Sequence, residues 1–181
     1  MQLSDLKNNG PWVFGTYLKK RVVTNKNMLF VGTEPKFMDV TEADSATRSA
    51  IPKMFGRNKG TEQIFKHSTE EWNVCQKKEI AVWLSNESQT KFVLVNALYL
   101  ALVSKKFPTA SFYMGIDELE PVVAKVKNQG IKGVVALIMP LFPTKTVREA
   151  VKPKEGWRSQ DASTMPEPSV SVVSEKESSA V

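Results

Sequence analysis

The stretch that decides the fold is residues 92–103, which read FVLVNALYLALV and contain Asn96 as the one strongly polar side chain. This run is shorter than the roughly 20 apolar residues that a membrane span requires. Its apolar side chains fall on every side of a helical projection, and a helix of that kind must be covered almost all round. The run therefore predicts a central element buried in the core of a globular protein.

The composition of this run favours a helix over residues 87–104, because leucine and alanine dominate its second half and Pro108 follows it. A buried strand over residues 92–95 is the alternative, since periodicity does not separate the two for a short apolar run. A buried amide needs hydrogen-bond partners. We expect the Asn96 side chain to bond to nearby backbone rather than to a ligand.

The length of 181 residues, with 41% hydrophobic and 24% charged side chains, is ordinary for one globular domain. Residues 1–9 are polar and lack the apolar centre of a secretory signal, so a cytoplasmic location is expected. Cys75 and His67 are the only cysteine and histidine in the chain. They exclude an intrachain disulfide and a His/Cys zinc cluster, and no nucleophile motif surrounds them, so neither metal nor cofactor is expected.

Residues 11–40 are rich in aromatic and β-branched side chains and predict a β-hairpin region, with its turn at residues 24–27. The basic cluster Lys19, Lys20 and Arg21 lies at or near the first strand, and Lys26 lies in the turn. These cations either share one exposed face that binds an anion or protect an edge strand from unwanted pairing.

Residues 41–50 predict a short helix that starts near Thr41 and that Pro52 ends. Residues 53–60 then read KMFGRNKG and predict a loop in which Phe55 can stack on a base while the cations contact phosphate. A solvated loop without a ligand is the alternative. The segment is not a Walker loop, because the lysine at position 59 is followed by glycine.

Residues 69–83 show apolar side chains at helical spacing and predict a second helix. Residues 111–139 predict a β-α-β unit with strands at 111–116 and 134–139 and a helix that begins at Asp117. The overall prediction is an α+β fold: an N-terminal β-hairpin region and a C-terminal β-α-β unit pack around the central buried helix, with a mixed sheet. Residues 1–151 form the domain, and residues 152–181, rich in serine and proline, form a flexible, disordered C-terminal tail.

The acidic side chains Asp117, Glu118 and Glu120 cluster at the start of the predicted β-α-β helix. Acids in a first helical turn are explained by capping and by the helix dipole. General acid-base catalysis by this group is therefore a minor alternative. The same negative charge excludes a nucleotide phosphate from this turn.

Positive charge is concentrated near the start of the chain, because residues 1–60 hold ten Lys and Arg against five Asp and Glu, while the whole chain has a net charge of +6. An asymmetry of this kind indicates an anionic partner, either nucleic acid, with RNA as the first choice, or an anionic membrane surface. The cations predicted to contact phosphate are Lys19, Lys20, Arg21, Lys26, Lys53, Arg57 and Lys59.

The functional hypothesis is a non-enzymatic structural or assembly protein that binds its anionic partner through this basic N-terminal face. Small viral coat, nucleocapsid and matrix proteins share this plan, and by that analogy alone a homo-oligomer and a place in a virion are expected. The alternative is a protein-protein adaptor in which Trp12, Phe14 and Phe55 form an exposed anchor patch.

Overall fold

The computed structural model describes residues 2–68, 71–73, 79–143 and 158–159, which form two β-sheets, two α-helices and a 3-10 helix. The 3-10 helix, Leu3–Asn8, precedes the first strand. The predicted α+β class is confirmed, and so is a mixed sheet. Of the predicted tail, only Arg158–Ser159 is among the described residues; the remainder of residues 152–181 lies outside them.

The larger sheet has eight strands, and three of them lie within the predicted N-terminal β-rich region. The two strands at one edge of this sheet pair in parallel, and every other neighbouring pair is antiparallel. In spatial order the strands are β4 (Val40–Glu42), β1 (Trp12–Tyr17), β2 (Lys20–Thr24), β3 (Met28–Val31), β12 (Val134–Ile138), β11 (Val122–Lys125), β10 (Ser111–Met114) and β5 (Glu62–Gln63).

The smaller sheet is built on β8 (Ile80–Ser85), which pairs with β9 (Phe92–Asn96) along one edge and with β6 (Lys66–His67) and β7 (Trp72–Asn73) along the other. The helix predicted over residues 69–83 is wrong where the structure describes them, since residues 80–83 belong to β8 and residues 72–73 to β7. Burial of five consecutive side chains after Ile80 fits a strand that is covered on both faces. The fifth described strand of this sheet, β13 (Arg158–Ser159), pairs with β6.

The hydrophobic run changes its secondary structure at Asn96. Its first part is β9, and α2 (Ala97–Lys106) follows without an intervening loop. The predicted helix is therefore wrong over residues 87–96, and the alternative of a strand over residues 92–95 is right. Valine and phenylalanine favour the extended part, while leucine and alanine favour the helix. As expected, the Asn96 amide bonds to backbone: its Oδ1 accepts a hydrogen bond from the Leu98 N–H at 2.9 Å.

Replacing this cap by alanine, as N96A, is expected to lower the free energy of unfolding by about 1–2 kcal/mol, because the first turn of α2 loses its acceptor in a buried place. Asn96→Ser, which keeps an acceptor, is expected to recover most of that loss. Urea unfolding followed by circular dichroism measures both variants. Equal midpoints for N96A and the unchanged protein would show that the cap contributes nothing.

The helix α1 (Ser45–Arg57) begins later and ends later than predicted. Asp44 is its N-cap and accepts from the Thr47 N–H at 2.7 Å, so the predicted start near Thr41 is wrong. Pro52 lies inside the helix rather than at its end. The helix continues through the proline because Ile51 and the partly buried Phe55, on either side of it, pack on the larger sheet.

The predicted β-α-β unit is instead an antiparallel meander of β10, β11 and β12. The predicted helix is wrong at residues 122–125, where adjacent valines are both buried, a pattern that fits a strand with two covered faces better than a helical stripe. The acids cap a turn: Asp117 Oδ1 accepts from the Leu119 N–H at 3.0 Å, and Glu120 Oε2 from the Ile116 N–H at 2.9 Å.

The larger sheet has a hydrophobic core on each face. One face is covered by α1, and the other packs against α2 and the smaller sheet. In the second core the Trp12 ring lies 6.1 Å from the rings of both Phe30 and Tyr99. The Tyr99 hydroxyl accepts a hydrogen bond from Nδ2 of the buried Asn25 at 3.0 Å, which ties α2 to the turn between β2 and β3.

Candidate polyanion-binding surface

The tip of the β1–β2 hairpin presents two side chains to solvent from an uncommon backbone conformation. Tyr17 pairs with Lys20, so Leu18 and Lys19 form the turn, with φ of +48° and +61°. Two-residue hairpin loops favour positive φ at both positions, but asparagine and glycine normally occupy them. The Leu18 side chain is 59% exposed. The tip therefore combines backbone strain with an exposed apolar group.

The last two turns of α1 present cations on the side that faces solvent. Lys53 and Arg57 are both exposed and lie four residues apart, so they are neighbours on the helix surface. Met54 and Phe55 between them point to the core under the helix. Lys59, also exposed, lies two residues after the end of the helix. Three of the predicted cations are thus close together along one segment.

An aromatic contact brings the hairpin tip and the end of α1 together. The rings of Tyr17 and Phe55 stack with their centroids 5.7 Å apart. Tyr17 immediately precedes the tip, and Phe55 lies between the cations of the helix. The exposed cations of both segments therefore form one surface, called the basic surface below. Its members are Lys19, Lys20, Lys53 and Arg57. Lys59 is not one of them, because the Thr61 N–H donates to the Met114 carbonyl at 2.9 Å, which holds this segment at the end of β10 opposite to the hairpin tip.

The segment that follows α1 is held in place by Lys125 of β11. The Lys125 Nζ donates to the Gly60 carbonyl at 3.0 Å and lies 4.3 Å from the centre of the Tyr113 ring. Gly60 has a φ of +59°, and a Cβ there would come within 2.7 Å of the Tyr113 Cβ. Sequence reasoning missed Lys125, because nothing in the sequence shows that β11 lies next to this segment.

The charge of the basic surface is not neutralised by acids of the described chain. The ion pairs in the described residues are Arg21–Glu34, Arg48–Glu42 and Lys91–Glu62, at 3.0, 2.8 and 3.0 Å. None of these pairs includes a member of the basic surface. Four cations to which the described residues supply no acidic partner produce a positive potential that extends about 8–10 Å into solution at physiological salt.

The structure separates Arg21 from its neighbours in sequence. Because side chains alternate along a strand, Arg21 lies on the other face of the sheet from Lys20. Its guanidinium makes two hydrogen bonds of 3.0 Å to Glu34 and lies 3.7 Å from the centre of the Phe14 ring. A backbone hydrogen bond at Glu34 and the Arg21 guanidinium lower the pKa of that carboxyl, so the pair is charged at neutral pH.

Lys26 is also separate from the basic surface. It is exposed, but it lies in the turn after β2, at the end of that strand opposite to the hairpin tip. The proposed stacking residue is engaged as well, since the Phe55 ring is half-buried against Tyr17.

The three aromatic residues of the adaptor hypothesis do not form an exposed patch. Trp12 is 2% exposed and its Nε1–H donates to the Leu6 carbonyl at 3.1 Å. Phe14 lies under the Arg21 guanidinium, and Phe55 is stacked as described above. Exposed apolar side chains occur elsewhere: Leu119 and Phe142, 48% and 68% exposed, line a cavity of about 310 Å³ beside the smaller sheet.

The groups considered for catalysis or metal binding do not assemble into a site among the described residues. Asp117 and Glu120 bond to backbone in an exposed turn, and Glu118 lies at the cavity lined by Leu119. Within these residues no group of three or more His, Cys, Asp and Glu could hold a metal ion. His67 is buried in β6, and Cys75 lies outside the described residues.

Two further observations bear on function. None of the helices in the described residues is long and apolar enough to cross a membrane. Comparisons with protein-family models, with curated proteins and with solved structures found no match.

Proposed function

We propose that this protein is a non-enzymatic binding protein that holds a phosphate-bearing anionic partner, nucleic acid or a membrane surface, in a structural or assembly role. The observation that carries the proposal is the convergence of two chain segments. The stack of Tyr17 on Phe55 brings the cations of the hairpin tip next to those of α1. A continuous positive field attracts a polyanion more strongly than the same charges dispersed among acids.

The chemistry of such a partner follows from the cations themselves. Lysine and arginine contact phosphate oxygens without reading a base sequence, so the affinity of the basic surface for RNA should be largely independent of sequence. Each neutralised phosphate releases counterions. The binding constant should therefore fall steeply as salt is added.

The expected salt dependence can be given as a slope. Four contacts to a single strand give a slope of log K against log salt of about −2.8, which is a loss of about 50-fold between 50 and 200 mM salt. Fluorescence anisotropy with a labelled single-stranded RNA measures this slope. Flotation with vesicles that contain phosphatidylserine gives the corresponding measurement for a membrane.

Vesicles of phosphatidylcholine alone, which carry no net charge, are the control for this titration. An affinity for RNA and for anionic vesicles that stays constant over this range of salt would contradict the proposal. So would equal binding to charged and uncharged vesicles.

A further inference from the structure

We propose that the partner of the basic surface is an anionic lipid surface, and that Leu18 enters this surface as an apolar anchor. The inference rests on the proposed function, because it names the partner of the same surface. It adds a residue that phosphate binding does not require. Leu18 carries no charge, and it stands between Tyr17 and the lysines of the tip.

Leu18 is unfavourable for the isolated protein in two ways. Its side chain is 59% exposed, and its φ of +48° is one that leucine rarely adopts. Asparagine or glycine would fit the turn with less strain and would expose no apolar surface. Residues with a strained backbone conformation are concentrated at functional sites. A leucine at the tip of a hairpin becomes favourable when the tip enters an apolar environment, because its side chain is then no longer exposed to water.

The surroundings of Leu18 favour a lipid surface over a nucleic acid. Proteins that hold single strands without sequence preference stack bases on aromatic rings. The aromatic rings at the basic surface, Tyr17 and Phe55, are stacked on each other and half-buried. Leucine has no ring to offer a base. An aliphatic side chain can instead enter the apolar layer below lipid headgroups.

The combination of charge and an apolar anchor is the one that a peripheral membrane protein needs. A single apolar group gives only marginal binding, and stable attachment requires a second signal such as a basic patch. Lys19 and Lys20, both exposed, flank the anchor and would lie at the headgroups when Leu18 is inserted. Lys53 and Arg57 on α1 come next to the tip through the aromatic stack and extend the contact with anionic lipid.

Leu18→Asn tests the anchor without removing a charge. Asparagine tolerates the left-handed conformation, so this variant is expected to fold at least as well as the unchanged protein. We expect its partition onto vesicles of 70% phosphatidylcholine and 30% phosphatidylserine to fall about tenfold, at the lower end of the effect of burying one leucine. Leu18→Met keeps an apolar side chain at this position, and we expect this variant to bind the vesicles as well as the unchanged protein does. Flotation at 100 mM salt measures the partition coefficients.

Ile116→Asn is the matched control. Ile116 is 73% exposed, but it follows β10 at the end of the sheet opposite to the hairpin tip. We expect the partition of I116N to stay within about twofold of the unchanged protein, since removing an apolar side chain far from the basic surface leaves the anchor in place. A loss as large as that of L18N would show that general hydrophobicity drives binding, and it would overturn the inference.

The remaining outcomes separate this inference from the proposed function. If L18N binds the vesicles as well as the unchanged protein while binding stays sensitive to salt, the anchor is wrong and the proposed function stands. If RNA binds more tightly than the anionic vesicles at equal salt and L18N leaves RNA binding unchanged, nucleic acid is the partner and the lipid inference is overturned. If neither probe binds in a manner that depends on salt, both proposals are contradicted.

Discussion

Reversing two charges of α1, as K53E/R57E, is expected to weaken binding to single-stranded RNA and to anionic vesicles by at least about 25-fold at 0.1 M salt. The loss of each phosphate contact costs about fivefold under these conditions, for a single strand and for a lipid surface alike. The new glutamates add repulsion. Both side chains are exposed, so the effect on folding should be small. Arg57 in the last turn contributes about 0.3–1 kcal/mol through the helix dipole.

The matched control is K7E/K26E, which changes the net charge by the same amount. Lys7 and Lys26 are exposed and lie at the other end of the larger sheet, where the Asn25 side chain bonds to the Asn9 carbonyl. The control is expected to change affinity by less than about threefold, because distant charges are screened. An equal loss in both double variants would mean that binding follows net charge alone, and the convergence of the basic surface would have no consequence.

The second large effect is expected for stability. Replacing Asn25 by alanine, as N25A, should lower the free energy of unfolding by about 2–4 kcal/mol, because buried polar groups lose their partners. The Asn25 Oδ1 accepts from the Asn27 and Met28 N–H groups at 2.9 and 2.8 Å. Its Nδ2 donates to the Tyr99 hydroxyl at 3.0 Å. One side chain therefore holds both the turn after β2 and the first turn of α2.

Asn27→Ala is the control for N25A, since it makes the same substitution two residues further along the same turn. The Asn27 backbone carbonyl accepts from the Met139 N–H at 2.8 Å, and alanine keeps this bond. We expect N27A to change the free energy of unfolding by less than about 0.5 kcal/mol. Urea unfolding measures the free energies of unfolding of N25A and N27A. The two can be compared when the dependence of that free energy on urea concentration is the same in both variants. Similar losses of stability in N25A and N27A would show that any substitution in this turn destabilises the protein, and that the hydrogen bonds of the Asn25 side chain have no special effect.

The sequence predicted the turn at residues 24–27 and strands on both sides of it, because the runs over residues 11–31 are aromatic and β-branched. It did not predict the turn at Leu18 and Lys19 that divides β1 from β2. It predicted the rest of the larger sheet less well. In residues 122–125 buried valines follow one another, since both faces of β11 are covered, and a pattern of that kind has no strand period. Capping residues at Asp117 then favoured a helix, although the structure uses them in a turn.

The candidate site was predicted by composition and not by geometry. The sequence identifies the exposed cations of the N-terminal third, but it does not give the register of β1 and β2 or the position of α1 on them. Those two facts place Lys20 next to the cations of α1 and Arg21 on the opposite face. The partnership of Arg21 with Glu34 joins residues 13 apart through the loop after β3. Such contacts depend on tertiary structure, which single-sequence patterns do not contain.

The direct passage from β9 into α2 at Asn96 has a mechanical consequence. With no loop between them, the smaller sheet and the helix that fills the core share one continuous backbone, so a displacement of β9 along its own axis pushes α2 against Trp12 and Phe30. Native-state hydrogen exchange should therefore show the amides of β8, β9 and α2 opening together as one cooperative unit, with a single free energy close to that of global unfolding.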